Sequence, residues 1–307
     1  MKTFVAATIC ILFLFCASVM PLFAQMPGPQ QQPEFIKQGQ QLIRDGKPEE
    51  ALALYRQTLK ETPNSTPANI AAGSVLDSMG KGEEARKYFA IAMLADTPEG
   101  KTAAKRAMAM SYAFEGNCGK TIEYEQQVFD FYGGAKNFSQ QGEIADEAAR
   151  VCLDSGDLDA ASKWYNIGHD TGLKEPDLKP ARKDLWDFRL ENAAARLAAR
   201  RGDKMAARQH VAAAKAILDK GTNPEQAPFL PALQGYVAFY TGDYKSALED
   251  LSKANQNDSF IQCLIAQSYE KSGEKEKAME YYRKAASSPS HNPAAAYAVP
   301  FAKKKLQ

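Results

Sequence analysis

The sequence predicts an all-α solenoid of stacked helical hairpins, and three observations carry that expectation. A glycine followed by a short polar stretch recurs at Gly46, Gly80, Gly116, Gly156, Gly202, Gly242 and Gly273, at intervals of 34, 36, 40, 46, 40 and 31 residues. Four landmark pairs share one offset of 34: Gly39 with Gly73, Gly46 with Gly80, Ala51 with Ala85, and Tyr55 with Phe89. Apolar residues make up 45% of the chain, and many are Ala, which favours helices and lets them pack closely.

In chain order, the first element is a targeting segment. Lys2 supplies a short positive region, Phe4 to Phe15 is uncharged, and Pro21 precedes Leu22-Phe23-Ala24, with a small residue before a cut at Gln25. This is the layout of a secretory signal peptide over residues 1–24, and it places the mature protein in the periplasm or outside the cell. The rival reading is an uncleaved anchor, because Phe4 to Ala24 carries no charge over 21 residues, about one membrane span. A lipid-modified Cys16 does not fit, since Phe13-Leu14-Phe15 precedes it instead of a small residue. Residues 25–32 form a flexible leader rich in Pro and Gln.

From residue 33 to 290 each hairpin follows from local physics. Glycine at the end of a first helix takes the positive φ that closes it. The polar residues beyond it open a second helix, with acids such as Glu49-Glu50 and Glu83-Glu84 in the first turn, where the helix dipole favours them. Small residues at Gly39, Gly73 and Gly235 let the two helices approach, and Ala51, Ala85, Ala161, Ala207, Ala247 and Ala278 do the same from the second helix. A ring four residues later, at Tyr55, Phe89, Tyr165 and Tyr282, fills the space behind. A single hairpin cannot bury its apolar face, so neighbours must stack.

These residues resemble the tetratricopeptide repeat (TPR) family. Gly39, Leu42, Gly46, Ala51, Tyr55 and Pro63 match its pattern in the first copy, and Gly73, Leu76, Gly80, Ala85, Phe89 and Ala92 in the second. Gly235, Gly242, Ala247 and Ala254 match in the sixth, and Gly273, Ala278, Tyr282 and Ala285 in the seventh. Copies three to five depart from it; in the third, Thr121 and Glu125 stand where the Ala and the ring are expected. The resemblance implies a right-handed superhelical solenoid of about seven helix-turn-helix repeats that binds partners on its concave face. The long intervals fall at loops around 133–135, 171–176 and 221–224, and the insertion near 170–185 is where a bend is expected. Residues 291–307, rich in Ala and containing Pro300 and Lys303-Lys304-Lys305, are expected to form a capping helix over the last repeat.

Composition and motifs narrow the function. The chain has 38 basic and 37 acidic residues, and removing residues 1–24 takes away only Lys2, so the mature chain is balanced. That argues against broad attraction to nucleic acid or anionic lipid. The mature cysteines, Cys118, Cys152 and Cys263, have no CxxC spacing, and His169, His210 and His291 are far apart, so no metal or cofactor site is expected. Gly133-Gly134 is not followed by a phosphate-loop GK[ST], no GxSxG frame occurs, and no catalytic site is expected.

The resemblance puts the first helix of each pair on the concave face, and with it Tyr236, Phe239 and Tyr240 of repeat six. Their spacing sets them on one helical face, either as a hot spot for a peptide or packed against repeats five and seven. The same placement puts Arg150, Arg196 and Arg200 along the inner face. They could grip a partner's carboxylate bidentately, or pair within the chain with Asp146, Asp154 or Glu191. Some relatives clamp a carboxyl terminus of cytosolic chaperones with Lys and Asn; the equivalent positions here are Ile36 and Gln40, so that activity is not carried over. Cys118 and Cys152 fall at the same end of adjacent repeats, which leaves open a disulfide or two free thiols; Cys263 reads as a buried thiol. The expected function is an exported scaffold for a protein or peptide, not an enzyme. The alternatives are an envelope-assembly factor or chaperone and, further off, an accessory module of an enzyme, with self-association also open.

Overall fold

A computed structural model describes residues 32–307; the signal segment 1–24 and nearly all of the leader lie outside the described residues. Fifteen α-helices and no strand occur among the described residues, and fourteen of the helices form seven consecutive hairpins. The hairpins are α1 (Glu34–Arg44) with α2 (Pro48–Glu61), α3 (Thr66–Ser78) with α4 (Gly82–Ala92), α5 (Pro98–Phe114) with α6 (Cys118–Gly134), and α7 (Phe138–Ser155) with α8 (Leu158–Gly172). Then follow α9 (Pro180–Arg200) with α10 (Lys204–Leu218), α11 (Phe229–Tyr240) with α12 (Tyr244–Leu251), α13 (Ser259–Lys271) with α14 (Lys275–Ala286), and last α15 (Pro293–Leu306). This is an all-helical solenoid of stacked hairpins among the described residues.

The turns inside the hairpins have two local causes. At Gly80 the backbone turns to φ 79°, and the next N–H, of Lys81, donates back to the Leu76 carbonyl at 2.8 Å, closing α3. The second helices of the four middle hairpins then start on Asn117, Asp157, Asp203 and Asp243, whose side chains accept from the backbone N–H three residues on. Such caps hold the third to fifth hairpins, whose repeat pattern is weakest, and the sixth as well.

Between paired helices, a ring stands on a glycine. Tyr55 covers Gly39 and Phe89 covers Gly73, both rings fully buried. A Cβ at residue 73 would overlap the Phe89 ring. Gly73→Ala is therefore expected to lose stability by about 1–2 kcal/mol, overpacking outweighing the gain in helix propensity. Urea unfolding of the two proteins checks this; an equal or higher midpoint for the variant would count against it.

The fourth and fifth hairpins are organised by a residue the repeat pattern does not show. Trp186 of α9 is completely buried against Gly142 of α7 and Gly172 of α8, and its indole N–H donates to Glu175 at 2.8 Å. Glu175 also accepts from Arg182 Nε at 2.8 Å, so the insertion between α8 and α9 is pinned to the start of α9. The insertion before α11 is tied to the same place: Asn223 donates to the Ala181 carbonyl and Thr222 to Asp184.

The C-terminal helix does more than the expected capping. α15 packs on α13 and α14, burying Ala298 and Ala302 beside Cys263 and Tyr282. It also reaches α3, α5 and α7, with Ala295, Ala296 and Val299 against Met110, Phe114 and Val151. Just before it, His291 lies between the Phe89 and Phe114 rings and places Nε2 2.8 Å from Asp77 Oδ2, while Lys303 donates to the Ser78 carbonyl. A stripe of small side chains lets the helix settle closely along these first helices. Beyond covering the last repeat, α15 links the seventh hairpin to the second, third and fourth and occupies part of the face lined by first helices.

Candidate partner-binding site

Helices α7, α9 and α11 bring together five of the six residues expected to contact a partner. Arg150, from the middle of α7, donates from Nε to Asp154 at 2.8 Å, and its guanidinium lies 4.1 Å above the Phe260 ring. Arg196 and Arg200, one turn apart on α9, lie over Tyr236 (5.2 Å) and Tyr240 (5.0 Å). Asp154 is the acid facing all three guanidinium groups. Glu191, the other acid considered for them, bonds His210, and Asp146 lies 3.9 Å from Arg189.

The aromatic part of the expected surface needs correction. Tyr236 is 1% exposed, so its ring is not offered to solvent. It stacks on Phe260 of α13 (6.1 Å) and lies 4.5 Å from Tyr240. Phe260 in turn packs on Tyr297 of α15. Phe239 turns aside, half-buried against Tyr240 and Tyr244. The i, i+3, i+4 spacing was sufficient to group these rings; their burial depends on α13 and α15.

Electrostatics single out Arg196. Its Nε is buried and has no hydrogen-bonding partner among the described residues; the same holds for Arg200 Nη1, Asp154 Oδ1 and Tyr236 Oη. Burial, and then the nearby charge of Arg150, press the Arg196 pKa down. Burial opposes the charge of Arg150 as well, but Asp154, Tyr165 and Tyr236 together outweigh it, so Arg150 keeps its proton more firmly. The guanidinium of Arg196 borders a cavity of about 290 Å³, together with Arg150, Arg189, Asn192, Tyr165 and Phe229. Asp146, on the same wall, is pushed up to about 7, mainly by burial, so it offsets only part of this positive charge at neutral pH.

A second, larger cavity of about 600 Å³ is bordered by Arg106, Met110, Phe131 and His291. There the arginine is already answered, bonding Glu147 through Nε and Nη2 at 2.7 and 3.0 Å. Cys118, opening α6, is joined to Cys152 in the last turn of α7, and Cys263 is a buried free thiol. No cluster of three metal-ligating side chains and no helix long and apolar enough to cross a membrane occurs among the described residues.

Stacked helical hairpins of this kind are an architecture that supports a protein-interaction role. Residues 42–110, from the end of α1 into α5, and residues 261–292, over α13 and α14, match the tetratricopeptide repeat. Among solved structures the chain is similar to a tetratricopeptide repeat protein from Parabacteroides merdae, at 14% identity over 88% of this chain and 98% of that one, with a TM-score of 0.46. It is also similar to the APC/C hetero-tetramer Cut9-Hcn1, at 17% identity over 87% of this chain, with a TM-score of 0.43; it covers 48% of that chain, about half. No curated protein sequence matches.

Proposed function

We propose that this protein is an exported scaffold that binds a protein or peptide segment on the face lined by its first helices. The observation that carries this reading is the cavity between α7, α9 and α11, where the buried Arg196 Nε has no acceptor among the described residues. Export is supported by the signal-like segment at residues 1–24 and by the Cys118–Cys152 pairing, which suits an oxidising compartment. N-terminal sequencing of protein from an envelope fraction is expected to begin near Gln25; a chain starting at Met1 would favour the retained anchor.

The test of binding places a photo-crosslinking amino acid at Asn192, on the cavity wall, and at Lys163, on α8. One adduct formed from residue 192 and not from residue 163 is expected. Several unrelated adducts would favour the assembly-factor alternative. Adducts at both positions alike, or none, would sink the inner-face reading.

A further inference from the structure

We infer that the cavity between α7, α9 and α11 recognises an acidic side chain next to an apolar one in an extended peptide segment. This rests on the scaffold reading above and names the chemistry of its partner. The polar half of the argument is charge. Arg150, Arg189 and Arg196 border one cavity; Arg150 is held by Asp154 and Arg189 by Glu143 and Asp146, whereas Arg196 feels Asp154 only at longer range and forms no salt bridge among the described residues, its Nε being without a partner. A buried guanidinium without an anion is costly, and a planar carboxylate offers it two acceptors in matching geometry.

Tyr236 and Phe260 hold the arginine planes from behind, Tyr236 under Arg196 and Phe260 under Arg150, so the cations are positioned before any ligand arrives. Pre-positioned donors lose less entropy when they bind.

The apolar half is Phe229. It is the first residue of α11, it borders the same cavity, and it is 54% exposed, whereas the other rings among the described residues are buried or half-buried. An exposed ring beside an unanswered cation fits a carboxylate with an apolar neighbour better than a free inorganic anion. At about 290 Å³ the cavity holds a side chain, and the amides of Asn192 and Gln226 on its wall suit the backbone of a segment that continues past it. A terminal carboxylate is the other source of the same chemistry; the side chain is favoured because the ring and both amides then have something to bind on either side of the acid.

The experiment is isothermal titration of the full chain with a hexapeptide blocked at both ends, carrying one glutamate between two leucines. The glutamine counterpart and an unblocked glutamine peptide serve as comparisons. Wild type is expected to bind the glutamate peptide at least about tenfold more tightly than either comparison, the size of one charged hydrogen-bonded pair. Arg196→Gln is expected to lose about tenfold and Phe229→Ala about fivefold, each melting near the wild-type temperature, and binding should weaken with added salt.

Arg196→Lys keeps the charge without the planar fork and is expected to fall between. It serves, with Phe229→Ala, if the glutamine variant does not fold. Equal affinity for glutamate and glutamine peptides, or undiminished binding by Arg196→Lys and Phe229→Ala, would overturn the assignment. Tight binding of the unblocked glutamine peptide alone would overturn it in favour of a terminal carboxylate. No binding of any peptide also overturns it, and the scaffold reading then stands or falls on the crosslinking at residues 192 and 163.

Discussion

Removing the Cys118–Cys152 bridge, by reduction or by double replacement with Ala, is expected to cost about 4 kcal/mol. The two residues are 34 apart, and opening a loop of that length returns this much entropy to the unfolded chain. For a chain of this size the melting temperature should fall by roughly 10 °C. The loss should not be uniform, because a repeat array is stabilised mostly between neighbours. The bridge joins the third hairpin to the fourth, where the repeat pattern is weakest, so amide exchange should quicken first in α5 to α8. It should then reach α15, which packs on α5 and α7. Scanning calorimetry with and without reductant gives the size, and the double variant must be indifferent to reductant. A wild-type melt unchanged by reductant, or peptide mapping that finds both thiols free after export, would refute the bridge.

Glu125→Met is expected to stabilise the protein by about 2–3 kcal/mol at neutral pH. Glu125 stands where other hairpins place a ring, it is completely buried, and neither carboxyl oxygen has a partner among the described residues. An unsatisfied buried carboxyl costs about this much, and methionine fills nearly the same volume without the cost. The effect should depend on pH in a defined direction. Burial, and then the charge of Glu147, push the Glu125 pKa well above the usual carboxylate range, with Arg106 opposing.

Because the folded state holds this proton more tightly than the unfolded one, Glu125's contribution to stability is fully present below the ordinary carboxylate pKa of about 4.3. It is lost as pH rises from there towards the raised folded value. The advantage of Glu125→Met over wild type should therefore grow from about pH 5 to pH 8, and Glu125→Gln should remove the same slope while keeping a polar group. Denaturant titrations at the two pH values measure it. An advantage that shrinks as pH rises would contradict the assignment.

The two parts of the molecule were legible to different degrees. In the first two hairpins and the last, the turn glycine, the small residue facing a ring and the acids at the helix start all lie within one 34-residue unit. In the middle, the ring position passes to Trp186, whose glycine partners Gly142 and Gly172 sit on two other helices. No fixed spacing announces such a contact. The site divides in the same way. Arg150, Arg196 and Arg200 could be set on an inner face by counting from the glycines. The pocket's exposed ring could not, because Phe229 opens α11 directly after an insertion and matches no landmark of the repeat pattern.

The sequence alone determined the fold class, the glycine turns and the residues that share a helical face, because helix period, caps and glycine turns act over a few residues. Only the tertiary structure decided which of those faces stay open. His291 meets Asp77 across 214 residues, and α15 comes to rest against α3, α5 and α7. Where a closing helix lands depends on the accumulated geometry of every hairpin between. That same closure, with Phe260 and Tyr297 behind it, buries Tyr236 and leaves Arg196 and Phe229 at the cavity.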